Sequence, residues 1–237
     1  ALLETPKSRR QSVQSIIALF KQCFPVFIAL FMYALIDNMP KFVMETALSY
    51  DNQLYFNALY FPAQAILLTV GFVYKPLLVR MAQMWADAEK RNRFHLVILA
   101  IVAMVIALTL VVIFLMNWIG IPIMSFMYGV DFEQFRGLSF IMIAAGGVTA
   151  IIDFLYQVIT VLRRQKSVMK LYVITFGFSL FVPILLIDFT GLPGAVIGYL
   201  IVMTILMVLL VWEYISICLD LSKHPVSQNP VSVSVDE

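Results

Sequence analysis

Asp153 belongs to a run of polar or small residues, Gly146, Thr149, Asp153, Gln157, Thr160 and Arg164, set inside a stretch that is otherwise mostly apolar. Spacings of three and four stack such residues on one side of a helix. A carboxylate surrounded by hydrocarbon needs a partner or water, and an ionisable group at that depth marks an ion or substrate path by default. Asp153 is therefore the candidate for a proton- or ion-coupling role, with Gln157 beside it. The Thr and Gly positions read equally well as helix–helix glue. A second run, Gln53, Asn57, Tyr60, Gln64, Gly71, Lys75 and Ala82, carries amides at one end and a cation at the other, again on one helix side. A third group closes an apolar stretch with "IDNMPKFVME", residues 36–45. Pro40 disfavours helix at Met39, so a polar corner is expected there. Asp37 and Lys41, four apart, can pair across a surviving turn. Such a corner suits an outward gate, and a plain helix stop with a snorkelling lysine suits it equally.

The elements that must position these groups are membrane spans. Hydrophobic residues make up 62% of the 237, charged residues 13%, and the mean hydropathy is +0.94. Those values exclude an ordinary soluble domain. Runs of about 20 apolar residues, enough to cross a ~30 Å hydrocarbon core, predict six helices at about 19–39, 53–79, 94–118, 137–161, 169–188 and 192–217. The fifth, carrying Pro183, should bend late in its path. Residues 1–18 form a cytoplasmic N-terminal segment and 218–237, "CLDLSKHPVSQNPVSVSVDE", a disordered cytoplasmic tail. The opening residues contain no signal peptide, and the chain reads as a piece of a longer one whose missing part precedes Ala1.

Basic residues concentrate on the cytoplasmic side of membrane proteins. With the N-terminus inside, all basic residues except Lys41 and Arg136 fall in inner segments, which predicts both termini cytoplasmic and "IDNMPKFVME" on the far side. A net charge of +2, dealt out between spans and not gathered into one patch, is too small to suggest nucleic acid as a partner. Cys23 and Cys218 open the first span and close the last, and are expected to be buried structural thiols; no metal site and no cofactor is predicted. The stretch 79–95, "VRMAQMWADAEKRNRFH", mixes apolar and charged residues at near-helical period and suits an amphipathic helix on the inner surface, or a solvated basic linker. Polar residues place the interior on spans one, two and four, with spans three and six facing lipid or filling the back. A polar face with too few partners of its own suggests half of a cavity.

Four stretches resemble the Wzx-type polysaccharide-export flippases of the multidrug/oligosaccharidyl-lipid/polysaccharide superfamily. "IDNMPKFVME" is similar to the Asn-small-Pro-Lys corner after their seventh helix. "FVYKPLLVRMAQMW" is similar to the aromatic-polar-Pro-Leu-Leu run ending the eighth, "WIGIPIMSFMYGVDFEQFR" to their Gly-Ile-Pro turn, and "TVLRRQKSV" to the basic loop after the tenth. The stretches occur in the family's order between residues 36 and 166. The resemblance implies the all-α, six-helix C-terminal lobe of a two-lobe transporter in a bacterial inner or plasma membrane, its N-terminal six-helix lobe missing. The implied cargo is an undecaprenyl-diphosphate-linked oligosaccharide, flipped to the outer leaflet for capsule, exopolysaccharide or O-antigen (lipopolysaccharide) synthesis, with polysaccharide assembly proteins as possible partners. A wet cavity for that cargo needs cations for the diphosphate, for which Lys41, Lys75 and Arg80 are available. It needs amides and aromatics for the sugars, for which Asn38, Asn57, Tyr60, Gln64 and Gln157 are available. The alternative within the superfamily is a drug or cation antiporter cycling a proton on Asp153 or Asp37. A membrane enzyme of polysaccharide assembly ranks last, because the outer loops are short and both histidines, His95 and His224, lie on the inner side.

Overall fold

The structure, a computed structural model, describes residues 9–87 and 90–223. Among the described residues eight α-helices follow one another: α1 (Arg9–Ala47), α2 (Tyr50–Tyr74), α3 (Leu78–Ala86), α4 (Arg91–Leu115), α5 (Ile121–Tyr128), α6 (Arg136–Val161), α7 (Gln165–Thr190) and α8 (Leu192–Lys223). No strand occurs among the described residues. Six helical stretches there are long and apolar enough to cross a membrane, Cys23–Ala47, Tyr50–Trp85, Arg91–Tyr128, Phe132–Val161, Gln165–Thr190 and Leu192–Asp220. The chain is an all-α protein of membrane type. Its exposed Phe, Leu, Ile and Val side chains clothe these helices on the outside, an apolar surface that suits lipid and not water.

Two boundaries differ from expectation, for physical reasons. Helix α1 passes through both Pro25 and Pro40 and ends only at Ala47, so there is no corner at Met39. Proline removes one intrahelical hydrogen bond, whereas ending the helix would leave several terminal carbonyls without partners. Where water is scarce the second is the more costly choice. The third span likewise continues beyond residue 118: a single wider turn at Met116–Gly120 leads straight into α5, and the chain turns at Gly129, whose φ is 66°. Pro122 sits in the first turn of α5, directly after that wider turn. The expected Gly-Ile-Pro turn is thus helix.

Of the flanking segments, residues 9–18 are helical as part of α1 and 218–223 as part of α8. The remainder of the predicted N-terminal segment and tail, 1–8 and 224–237, lies outside the described residues. The amphipathic stretch yields α3, with Met81 buried and Trp85 packed on Phe94, ring centroids 5.0 Å apart.

Helix α6 is the centre. Helices α2 and α8 pack along it, α4 covers its back, α7 pairs with α8, and α1 lies along α7. Two adjacent glycines make the centre possible. A Cβ on Gly146 would fall 2.7 Å from Ala63 Cα, and one on Gly147 would fall 2.4 Å from Thr109 Oγ1. Their absence lets α2 and α4 close on α6 from different sides, as small residues do in membrane bundles. On the other flank, a Cβ on Gly194 would fall 2.1 Å from the Leu186 carbonyl oxygen. Gly191, with φ 68° and ψ −131°, makes the one-residue turn that joins α7 to α8, a conformation open essentially to glycine alone.

Helices α1 and α2 therefore rest on different partners, α7 and α6, and touch each other only slightly. Helix α8 lies beneath the seam between them and reaches both.

Candidate functional site: a tyrosine–aspartate core beneath the α1–α2 seam

Asp37 stands on α1 ten residues, about 15 Å, before that helix ends. Tyr60 stands ten residues into α2, so the two meet at equal depth. The Tyr60 hydroxyl donates to Asp37 Oδ1 at 2.9 Å, and the Tyr199 hydroxyl of α8 donates to the same oxygen at 2.7 Å. The two hydroxyl oxygens are 3.2 Å apart and Thr149 Oγ1 is 3.4 Å from that of Tyr199. Each hydroxyl has a single proton. Both tyrosine protons go to Asp37, and that of Thr149 goes to the Ala145 carbonyl at 2.9 Å, so the remaining contacts are close approaches of oxygens. Tyr199 is 1% exposed and Tyr60 8%. Their rings meet edge to face at 5.6 Å, with Phe56 edge-on to Tyr199 at 6.3 Å.

Lys41, one turn beyond Asp37, does not pair with it. Its ammonium sits 5.1 Å from the centroid of the Tyr60 ring, a cation–π arrangement. Gln53 Nε2 donates to the Lys41 carbonyl at 3.3 Å, tying α2 to the last turns of α1. The expected Asp37–Lys41 pair is replaced because two buried hydroxyls reach the carboxylate from other helices.

A second carboxylate lies deeper toward the opposite end. Tyr74 of α2, fully buried, donates its hydroxyl to Asp153 Oδ2, and its ring meets Phe154 edge-on at 5.4 Å. Asp153 is half-buried, with the Tyr74 hydroxyl as its partner. Beside it runs a ladder of tyrosine rings across three helices: Tyr33 of α1, Tyr172 of α7 and Tyr156 of α6, with successive centroids 6.0 and 6.1 Å apart.

The predicted residues divide accordingly. Tyr60, Lys41 and Gln53 gather at one cluster and Asp153 anchors the other, with half-buried Gln157 one turn beyond it. Gln64, half-buried, lies beside the Tyr60 hydroxyl, and Asn57 is exposed. Asn38 bonds within its own helix, donating to the Ala34 carbonyl at 2.8 Å. Lys75 and Arg80 are exposed at the basic end; Lys75 Nζ lies 3.4 Å from where a Cβ on Gly71 would be, so it folds back along α2. Arg164, the last of the α6 stripe, is bound to Asp220 at 3.0 Å. Cys23 is exposed and Cys218 half-buried, so neither is the buried structural thiol expected. The sequence reading omitted Tyr199, Tyr74, Tyr33 and Tyr172 from the site. The sixth span, assigned to lipid or the back of the bundle, supplies one of the two donors to Asp37.

Chemically, the seam presents two carboxylates whose hydrogen-bond donors, where seen, are tyrosine hydroxyls, together with edge-on aromatic rings, amides and one lysine. Such a surface can bind hydroxyl-rich or cationic groups and can hold a proton or cation at a carboxylate. Comparison with protein-family models, with curated proteins and with solved structures returns no match.

Proposed function

We propose that this chain is one lobe of a membrane transporter, the C-terminal one, and that it moves a lipid-linked oligosaccharide, of the undecaprenyl-diphosphate class, from the inner to the outer leaflet. One observation carries the proposal: two carboxylate–tyrosine clusters lie within the apolar spans, along α1 and α2, which touch each other only slightly. Ionisable groups inside a span are costly and mark a substrate or ion path by default, and here two carboxylates occur with their tyrosine donors on neighbouring helices. Tyrosine faces, amides and carboxylates suit sugar hydroxyls. The apolar flanks of α1 suit a prenyl chain passing outside the seam. Lys41 sits near one mouth, and Lys75 and Arg80 near the other, where a diphosphate needs charge-assisted donors. Both termini then lie in the cytoplasm, and a second, N-terminal lobe closes the cavity.

Deleting the gene in its native host and following lipid-linked saccharides tests this. Loss of surface polymer with accumulation of lipid-linked repeat units on the inner leaflet is expected. Unchanged polymer with no accumulation refutes it. A second reading, a proton- or cation-coupled drug antiporter, is favoured by the same carboxylates, which have no cationic partner among the described residues. In that case deletion raises drug sensitivity and leaves polymer intact.

A further inference from the structure

Away from the seam, a cavity of about 570 Å³ opens where Lys21 and Pro25 of α1 face Arg163–Ser167, the end of the turn that joins α6 to α7 and the first residues of α7. Four cations line it. Arg164 is already engaged by Asp220, while Lys21, Arg163 and Lys166 have no carboxylate partner among the described residues. Arg163 is also the only non-glycine residue with positive φ among the described residues, 59°, a strained conformation for a residue with a Cβ. Lys21 serves two surfaces at once. It lines this basic cavity and also a neighbouring groove with Ile17, Phe20 and Phe24, which continues past Cys23 to Phe27 as an almost wholly apolar pocket of about 510 Å³. Phe31, stacked on Phe27 at 6.2 Å, extends the strip.

We propose that this is a binding site for an anionic glycerophospholipid: its phosphate headgroup sits among Lys21, Arg163 and Lys166, and one acyl chain lies along Phe20, Phe24, Phe27 and Phe31. Charge selects the headgroup, since three unpaired cations favour net negative charge over a zwitterion. Length selects the chain. From Phe20 to Phe31 the helix rises about 16 Å, half of a ~30 Å hydrocarbon core, which is the depth of a single leaflet and so matches an ordinary acyl chain better than a long polyprenyl one. The site is separate from both tyrosine–aspartate clusters and does not depend on what the seam transports.

The test uses the full chain in nanodiscs of phosphatidylcholine with a minor fraction of phosphatidylglycerol, reading retained lipid by native mass spectrometry. Wild type is expected to retain phosphatidylglycerol preferentially. Lys21→Gln should lower that preference about fivefold, and neutralising Lys21, Arg163 and Lys166 together about a hundredfold, from the usual strength of one cation near anionic headgroups. Phe24→Ala should weaken retention of both lipids alike. Arg93→Gln, an exposed cation outside the cavity, should change nothing. Equal retention by the triple variant and wild type overturns the proposal, as does an equal loss in Arg93→Gln, which would assign the preference to overall charge. Adding a polyprenyl diphosphate provides the last arm: its displacement of phosphatidylglycerol at equal concentration overturns the choice of occupant.

Discussion

Tyr199→Phe removes one oxygen and nothing else from the bundle. The ring stays, and with it the edge-to-face contacts to Tyr60 and Phe56; no cavity larger than a hydroxyl opens. What is lost is the 2.7 Å bond to Asp37 Oδ1. Thr149 and Tyr60 keep their own acceptors, so no further group is orphaned. A hydrogen bond to a charged acceptor contributes about 1.5–3 kcal/mol in soluble proteins. Inside membranes the mean is nearer 0.6 and the upper end about 1.7, because the unfolded helices find other partners. Asp37 keeps a second donor, which favours the lower figures, while Tyr199 is fully buried and its acceptor is a carboxylate, which favours the higher. The expected loss is about 1.5 kcal/mol, roughly tenfold in the unfolding constant. Reversible unfolding in mixed micelles measures it. Repeating the substitution in an Asp37→Asn background isolates the charge: the penalty should fall to about 0.5 kcal/mol, that of a neutral pair. A penalty below about 0.5 kcal/mol in the native background, or the same penalty in both backgrounds, would refute the assignment of Tyr199 as a donor to the Asp37 carboxylate.

Gly146→Val should cost about 2–3 kcal/mol in the same titration, because its Cβ would fall 2.6 Å from Ala63 Cβ and force α2 from α6; Gly177→Ala, whose Cβ meets nothing within 4 Å, should be neutral or stabilising. Pro40→Ala should stabilise α1 by about 1 kcal/mol, since it restores a backbone donor within a continuous helix; destabilisation would show that the buried ring is needed in place. Asp153→Asn should abolish any pH dependence of saccharide output at unchanged membrane abundance, and a fully active, still pH-dependent variant would leave Asp153 with a structural role only. In a background lacking the exposed Cys23 and half-buried Cys218, Ser49→Cys should label from outside the cell and Asn92→Cys only after permeabilisation; the reverse pattern inverts the orientation.

Spans two and four were legible because their polar residues repeat at threes and fours, and a periodic reading sees every partner on the same helix side. Gly146, Thr149 and Asp153 do share the face that meets α2 and α8. Asp37 was misassigned for the complementary reason. Its nearest sequence candidate, Lys41, is four residues away, while its true donors are 23 and 162 residues away, beyond the reach of any local period. Tyr199, Tyr172 and Tyr33 escaped because tyrosine counts as hydrophobic in a span search, although its hydroxyl is the group that matters once buried. Pro40 was read by the habits of water-soluble helices, where stopping is cheap. Gly120 and Pro122 are turn residues in water, which is why their stretch resembles a turn, whereas here they lie in the wider helical turn and the first turn of α5.

The separation of Asp37 from its donors also sets an order of events during synthesis. At about 5–20 residues per second, Tyr60 emerges only seconds after Asp37, but Tyr199 follows 162 residues later, about 10–30 seconds afterwards. For that interval the carboxylate resides in or beside the membrane with at most a single donor, and α1 waits beside the unit of α2, α4 and α6 without the helix it chiefly packs on, α7. Helices α7 and α8, joined through the one-residue turn at Gly191, then arrive as a near-rigid pair that both covers α1 and delivers the second hydroxyl. The α7–α8 hairpin is therefore the latch of assembly, and a chain truncated before residue 191 would leave a carboxylate half-satisfied in lipid, the kind of defect that membrane quality control can recognise.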